Sequence, residues 1–169
     1  MSRTPPTGDA VRPGRWTGFA AATVAFAFAA VSLYWALGGR ALLDTLGGEI
    51  ERRARAGDDV LLVANAAGAV LKMLGGMLAL ALVLPWGERL PRRPLQALAW
   101  TGAAVLTVYG VLQTVAIVLV ALGRFELDEP LGTRALRWRM FLWEPWFLVW
   151  GMLLGAAAWH FGARVRRRS

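Results

Sequence analysis

Four long apolar runs separated by short polar stretches dominate the chain, at about residues 16–37, 60–84, 95–122 and 141–161. Each exceeds the roughly 20 residues a helix needs to cross ~30 Å of hydrocarbon. None shows the in–out alternation of a barrel strand, and lipid tolerates only backbones whose hydrogen bonds close internally, so the runs predict helices. Pro85 closes the second run, and Pro91 and Pro94 precede the third. The predicted fold is all-α, an integral membrane four-helix bundle with short loops. Residues 1–15, rich in Pro, Gly, Thr and Arg, read as a disordered cytoplasmic tail, and 163–169 as a basic cytoplasmic tail. The first run is too long for a signal peptide's apolar region. Tyr34, Trp35, Gly38 and Gly39 follow it instead of a cleavage site, so it is expected to be retained. In the first loop, 38–59, Leu42, Leu43, Leu46 and Ile50 recur at helical spacing opposite Asp44, Glu51 and arginines. This predicts a short helix lying on the membrane, weakened by Gly47 and Gly48.

Composition agrees with a membrane protein. The chain is 57% hydrophobic and 18% charged, against about a quarter charged in soluble domains. All but one of its 19 Lys and Arg residues are arginine, and the net charge is +8. These arginines flank apolar spans, which fits topology signals and anionic head groups and points away from nucleic acid. Three arginines in the N-terminal tail, three in the second loop and four at the C-terminus stand against four in each of the other two loops. The second group is interleaved with acidic residues, among them Asp128 and Glu129. Both termini are therefore assigned to the cytoplasm of a cell-membrane protein. Trp16, Trp86, Trp100 and Trp159 fall near one interface and Trp35, Trp138, Trp143 and Trp146 near the other; only Trp150 lies deeper. With no cysteine and a single histidine, His160, thiolate chemistry and multi-histidine metal sites are excluded, and neither metal nor cofactor is expected.

A few polar residues inside the spans need a physical account. Lys72 stands near the middle of the second, where a charge costs ~2.5–3.5 kcal/mol on insertion scales. Asn65, Gly68, Lys72, Gly75 and Ala79 share one stripe, and small residues mark a face that packs on another helix. In the third span Tyr109 and Gln113 lie one turn apart, beside Thr107, Gly110 and Thr114. In the fourth, Glu144 shares a face with Gly151 and Gly155, a Gly-x-x-x-Gly packing motif. Ser32 and Tyr34 end the first span. One polar constellation in the outer half of the bundle follows, with Lys72 leaning toward Glu144. A plainer alternative stays open: Glu144 precedes Pro145, an ordinary helix start, so it could merely cap the fourth helix, neutralised by Arg137 or Arg139.

Two segments carry a family resemblance. Tyr34-Trp35-Ala36-Leu37-Gly38-Gly39 closes the first span, and Arg139-x-x-Leu142-Trp143-Glu144-Pro145-Trp146-Phe147 opens the last. Together they resemble a bacterial four-span family known as domain of unknown function 3995, over about residues 16–162. The family's acidic position is often Asp, so Glu144 departs from it. The resemblance implies fold and membrane location, draws attention to these two span ends, and implies no activity.

Three functions fit the residues. A binder or carrier would admit a small amphipathic or lipid-like molecule from the outer leaflet into a polar pocket in the outer half of the bundle. Lys72, Glu144, Asn65, Tyr109, Gln113 and Tyr34 would meet its polar part, and Trp143 and Trp146 would stack on the rest. A structural subunit would use the small-residue stripes for a second copy or a partner membrane protein. A membrane-embedded enzyme would use Lys72, Tyr109 and Glu144 for acid–base chemistry, although the chain has no nucleophile elbow or phosphate loop.

Overall fold

The computed structural model describes residues 14–127 and 131–166. Most of the predicted N-terminal tail (1–13), the end of the C-terminal one (167–169), and Asp128 and Glu129 lie outside them. Every regular element among the described residues is helical: α1 (Arg15–Ala36), α2 (Gly48–Arg55), α3 (Asp59–Ala81), α4 (Arg92–Ala121), α5 (Thr133–Trp138) and α6 (Glu144–Arg166). Short 3-10 turns at Leu43–Thr45 and Pro85–Arg89 join them. Four helical stretches are long and apolar enough to cross a membrane: α1, α3, α4, and a 31-residue stretch from Thr133 to Ala163.

That last stretch differs from a span opening at Pro145. Proline has no N–H to donate and its ring crowds the carbonyl four residues earlier, so a helix usually ends or kinks there. Here the turn before it, Arg139–Trp143, is wound as a π-helix, and the Glu144 N–H reaches back five residues to the Arg139 carbonyl. The extra residue in that turn absorbs the mismatch, and α5 runs on into α6. Glu144 itself has helical angles, φ −76° and ψ −44°, so it is an interior residue and not an N-cap.

In lipid, helix association rests on close packing rather than on hydrophobic burial. Small residues accordingly set the interfaces. α1 buries Ala21, Ala22, Ala25, Ala29 and Ser32, one stripe at spacings of three and four. It packs along α3, where Gly76 receives the Phe26 ring, and along one side of α6. α4 packs along the other side of α6: a Cβ on Gly110 would come within 2.3 Å of the Leu148 backbone nitrogen. Around the bundle the order is α3, α1, α6, α4. The ring does not close, because α3 and α4 barely touch. Outward faces carry Val63, Val70, Leu74, Val108 and Leu112, as lipid contact requires.

The 38–59 segment folds over one end of this bundle, here termed the loop end. Gly47 and Gly48, at φ +68° and +59°, break the predicted helix into a 3-10 turn and α2. At Gly47 the close approach matters too, since a Cβ would meet that of Ala135 at 2.6 Å. Leu43 and Thr45 are buried there. Asp58 then starts α3 as N-cap, accepting from the Leu61 N–H at 3.1 Å.

Candidate functional site

Lys72 faces the bundle. Its ammonium folds back along α3 toward Gly68, as helical side chains lean toward the N-terminus. It donates to Ser32 Oγ on α1 at 2.9 Å and sits 4.4 Å from the centre of the Phe28 ring. A hydroxyl and a ring face are weak compensation for a full charge, and two of its three N–H donors are left for another partner.

Glu144 is engaged elsewhere. Arg139 donates to Oε1 from Nε at 2.9 Å and from Nη2 at 2.8 Å, and the Glu144 side chain is 7% exposed. Tyr109 lies within electrostatic reach of this ion pair, with Gln113 beside its hydroxyl. The single constellation expected from the sequence is therefore two clusters, Lys72–Ser32 between α3 and α1, and Arg139–Glu144–Tyr109–Gln113 between α6 and α4. Aromatic rings join them: Phe28 meets Phe147 at 4.9 Å between centroids, and Phe147 meets Tyr109 at 4.9 Å, edge to face.

The remaining sequence candidates have structural partners. The Tyr34 hydroxyl accepts from the Ala41 N–H at 3.1 Å and Trp35 Nε1 donates to the Ala41 carbonyl at 2.9 Å, so both staple the chain as it leaves α1. Trp143 donates to the buried Thr45 hydroxyl at 3.0 Å, and Trp146 to the Val24 carbonyl at 3.2 Å. Trp35 and Trp143 are in ring contact at 5.4 Å, which is where the two sequence motifs meet. Asn65 donates to the Leu61 carbonyl on its own helix and lines a small cavity of about 100 Å³ under the first loop. Thr45 and Phe28 escaped the sequence reading, and nothing in their spacing marks them.

A substantial cavity lies elsewhere. Where α3 and α4 fail to meet, a crevice of about 730 Å³ opens sideways, with Phe147, Trp150 and Leu154 of α6 as its floor. Its α3 wall runs from Gly68 to Ala81 and its α4 wall from Leu95 to Leu106, with Trp86 and Leu90 at the far end. It thus extends from mid-membrane toward the end bearing the termini, away from the half where a polar pocket was expected. Between the helices of the loop half, polar groups pair with one another and aromatic rings pack, and the space that remains there is an open cleft of about 670 Å³ on the outer side of α5, lined by Thr133, Arg134, Arg137, Trp138, Phe141 and Leu142. Gly68, Gly75 and Gly102 line the crevice, with the Trp150 ring packed onto Gly75. Among the described residues, Lys72 is the only charged one lining the crevice, at its mid-membrane end.

Four apolar helical spans, small-residue interfaces and internally paired polar groups define a multi-pass helical membrane protein. The family model described as "Protein of unknown function (DUF3995)" matches residues 25–154, and the chain belongs to that family. No curated protein and no solved structure matches it.

Proposed function

We propose that this protein binds a lipid-like molecule in the crevice between α3 and α4. The apolar part lies along the walls, and a polar group meets Lys72. The observation that carries the reading is the crevice with its one charged lining residue. Its volume is in the ~300–1,000 Å³ range of small-molecule sites, and such sites are mostly apolar with a few placed polar groups. A charge held at mid-membrane by a hydroxyl and a ring is a functional group by default. The acid–base alternative is less well supported, because Lys72 and Glu144 have separate partners. A purely structural role is favoured by one observation, the internal satisfaction of the Arg139–Glu144 pair.

The test is photo-crosslinking of the full chain in its native membrane. A benzophenone amino acid at Leu98, in the crevice wall, is expected to capture one dominant species. The same group at Leu112, facing lipid, is expected to capture the bulk lipid mixture. Identical adducts at both positions would overturn the reading. We further propose a cell-membrane location with both termini cytoplasmic, on the strength of the arginine distribution. A reporter fused after Ser169 should be active only in its cytoplasmic form, and periplasmic activity would reverse the assignment.

A further inference from the structure

The open cleft beside α5 takes no part in the crevice reading. Ala135 turns inward, buried where the first loop brings Gly47 against it, and Arg137, two residues on, turns outward and is exposed. Arg134, Arg137, Trp138 and Phe141 follow one another at steps of three and four along this outward strip, and all four line the cleft. Because α5 runs on into α6, depth can be counted along one helix. From Gly151, the middle of the apolar run 141–161, Phe141 is about 15 Å away, at the edge of the hydrocarbon. Arg137 is about 21 Å away, in the head-group layer, and Arg134 about 26 Å, at its outer side. The charges on the strip do not cancel. Arg134 pairs through Nε with Asp44 at 2.9 Å, which leaves its two terminal nitrogens open. Arg137 has no ion-pair partner among the described residues. Two guanidinium groups against one carboxylate leave one positive charge facing the lipid head groups.

We propose that this cleft seats the phosphate of an anionic phospholipid. A guanidinium fork matches the two free oxygens of a phosphodiester, and the single uncancelled positive charge matches its single negative one. Arg137 is the main contact, with the terminal nitrogens of Arg134 and the Thr133 hydroxyl at the same end of the cleft. An acyl chain descends past Trp138 and the exposed Phe141, the apolar end of the same strip. A zwitterionic head group fits less well, because its own cation competes with the arginines for the phosphate. A free phosphate would use the arginines and leave the apolar end of the cleft bare. The site lies in the half of the bundle opposite the Trp86 end of the crevice, and it does not rest on the crevice reading.

The experiment is native mass spectrometry of the full chain in detergent, titrated with dioleoyl phosphatidylglycerol, and with dioleoyl phosphatidylcholine as the zwitterionic control. The anionic lipid is expected to bind one-to-one and more tightly than the control. Arg137→Gln is expected to weaken it about tenfold, the worth of one charge-assisted hydrogen bond, without changing the control. Arg93→Gln removes an exposed arginine at the other end of the bundle and is expected to leave binding unchanged. An equal loss from both changes means diffuse charge attraction and overturns the site, as does equal binding of the two lipids or full affinity in Arg137→Gln. Excess inorganic phosphate is expected not to displace the lipid; displacement assigns the cleft to a free anion and overturns the lipid. Leu98→Trp, which fills the crevice, is expected to leave this binding intact. Its loss there places the lipid in the crevice and overturns the cleft site while sparing the crevice reading. Should Arg137→Gln not fold, a benzophenone amino acid at Phe141 in the native membrane still answers. It is expected to capture anionic phospholipid in a larger share than the same group at Leu112, and equal shares overturn the proposal.

Discussion

Glu144→Gln separates a buried ion pair from a helix cap. The carboxylate is 7% exposed and the Arg139 side chain 23%, and two guanidinium nitrogens converge on one oxygen at 2.8 and 2.9 Å. Removing one partner of a fully buried pair costs ~3–5 kcal/mol, because the other charge is left uncompensated. Arg139 keeps about a quarter of its surface open, and Gln still accepts one hydrogen bond, so the expected loss is about 2–3 kcal/mol. A cap at the same position would cost about 1 kcal/mol or less. The double change Arg139→Met/Glu144→Gln removes both charges together and should return to within ~1 kcal/mol of the parent, since apolar replacement of buried pairs is often neutral. Reversible unfolding by dodecyl sulfate in mixed micelles measures all four proteins. A Glu144→Gln loss of 1 kcal/mol or less that simply adds to that of Arg139→Met would refute the ion-pair account.

Lys72→Met should insert normally and melt at or above the parent temperature, since it removes a costly charge and forfeits only the Ser32 hydrogen bond and the Phe28 contact; a degraded variant would make the lysine part of the scaffold. The two glycines of the α6 motif should differ: Gly151→Ala should cost roughly 1–3 kcal/mol, because its Cβ would meet the Thr107 backbone nitrogen at 2.6 Å, while Gly155→Ala, with its nearest neighbour at 3.5 Å, should be near neutral in the same unfolding assay. At the entry to α3, the Arg53 hydrogen bond, with the Leu61 N–H, holds the Asp58 carboxyl below its ordinary range. A depressed folded pKa gives stability that is present above the unfolded pKa and lost as pH falls through the folded one. The protection factor of the Leu61 amide, which corrects for the intrinsic slowing of exchange in acid, should therefore fall as pH drops, and Asp58→Asn, which keeps the cap, should abolish that fall.

The spans were legible because lipid imposes long apolar runs, and the inward face of α3 because Gly68, Gly75 and Ala79 mark it around Lys72. The partner of Lys72 was not legible. Ser32 lies 40 residues away, and choosing it over Glu144 requires knowing that α3 packs on α1. Pro145 misdirects in a specific way: Glu-Pro is an ordinary helix start, and only the π-turn at Arg139–Trp143, which has no sequence signature, lets the helix pass through it. The position of the cavity was equally hidden, because it depends on which two helices fail to meet. Trp150 could be singled out as the one deep tryptophan, but its place on the crevice floor is visible only once the neighbours are in place.

The most direct test of ligand binding between α3 and α4 is a density map of the purified protein in native lipid. An elongated density is predicted in that gap, running from the level of Trp86 to an end beside Lys72. A gap closed by its own side chains, or filled by a helix of a second copy, would contradict the account.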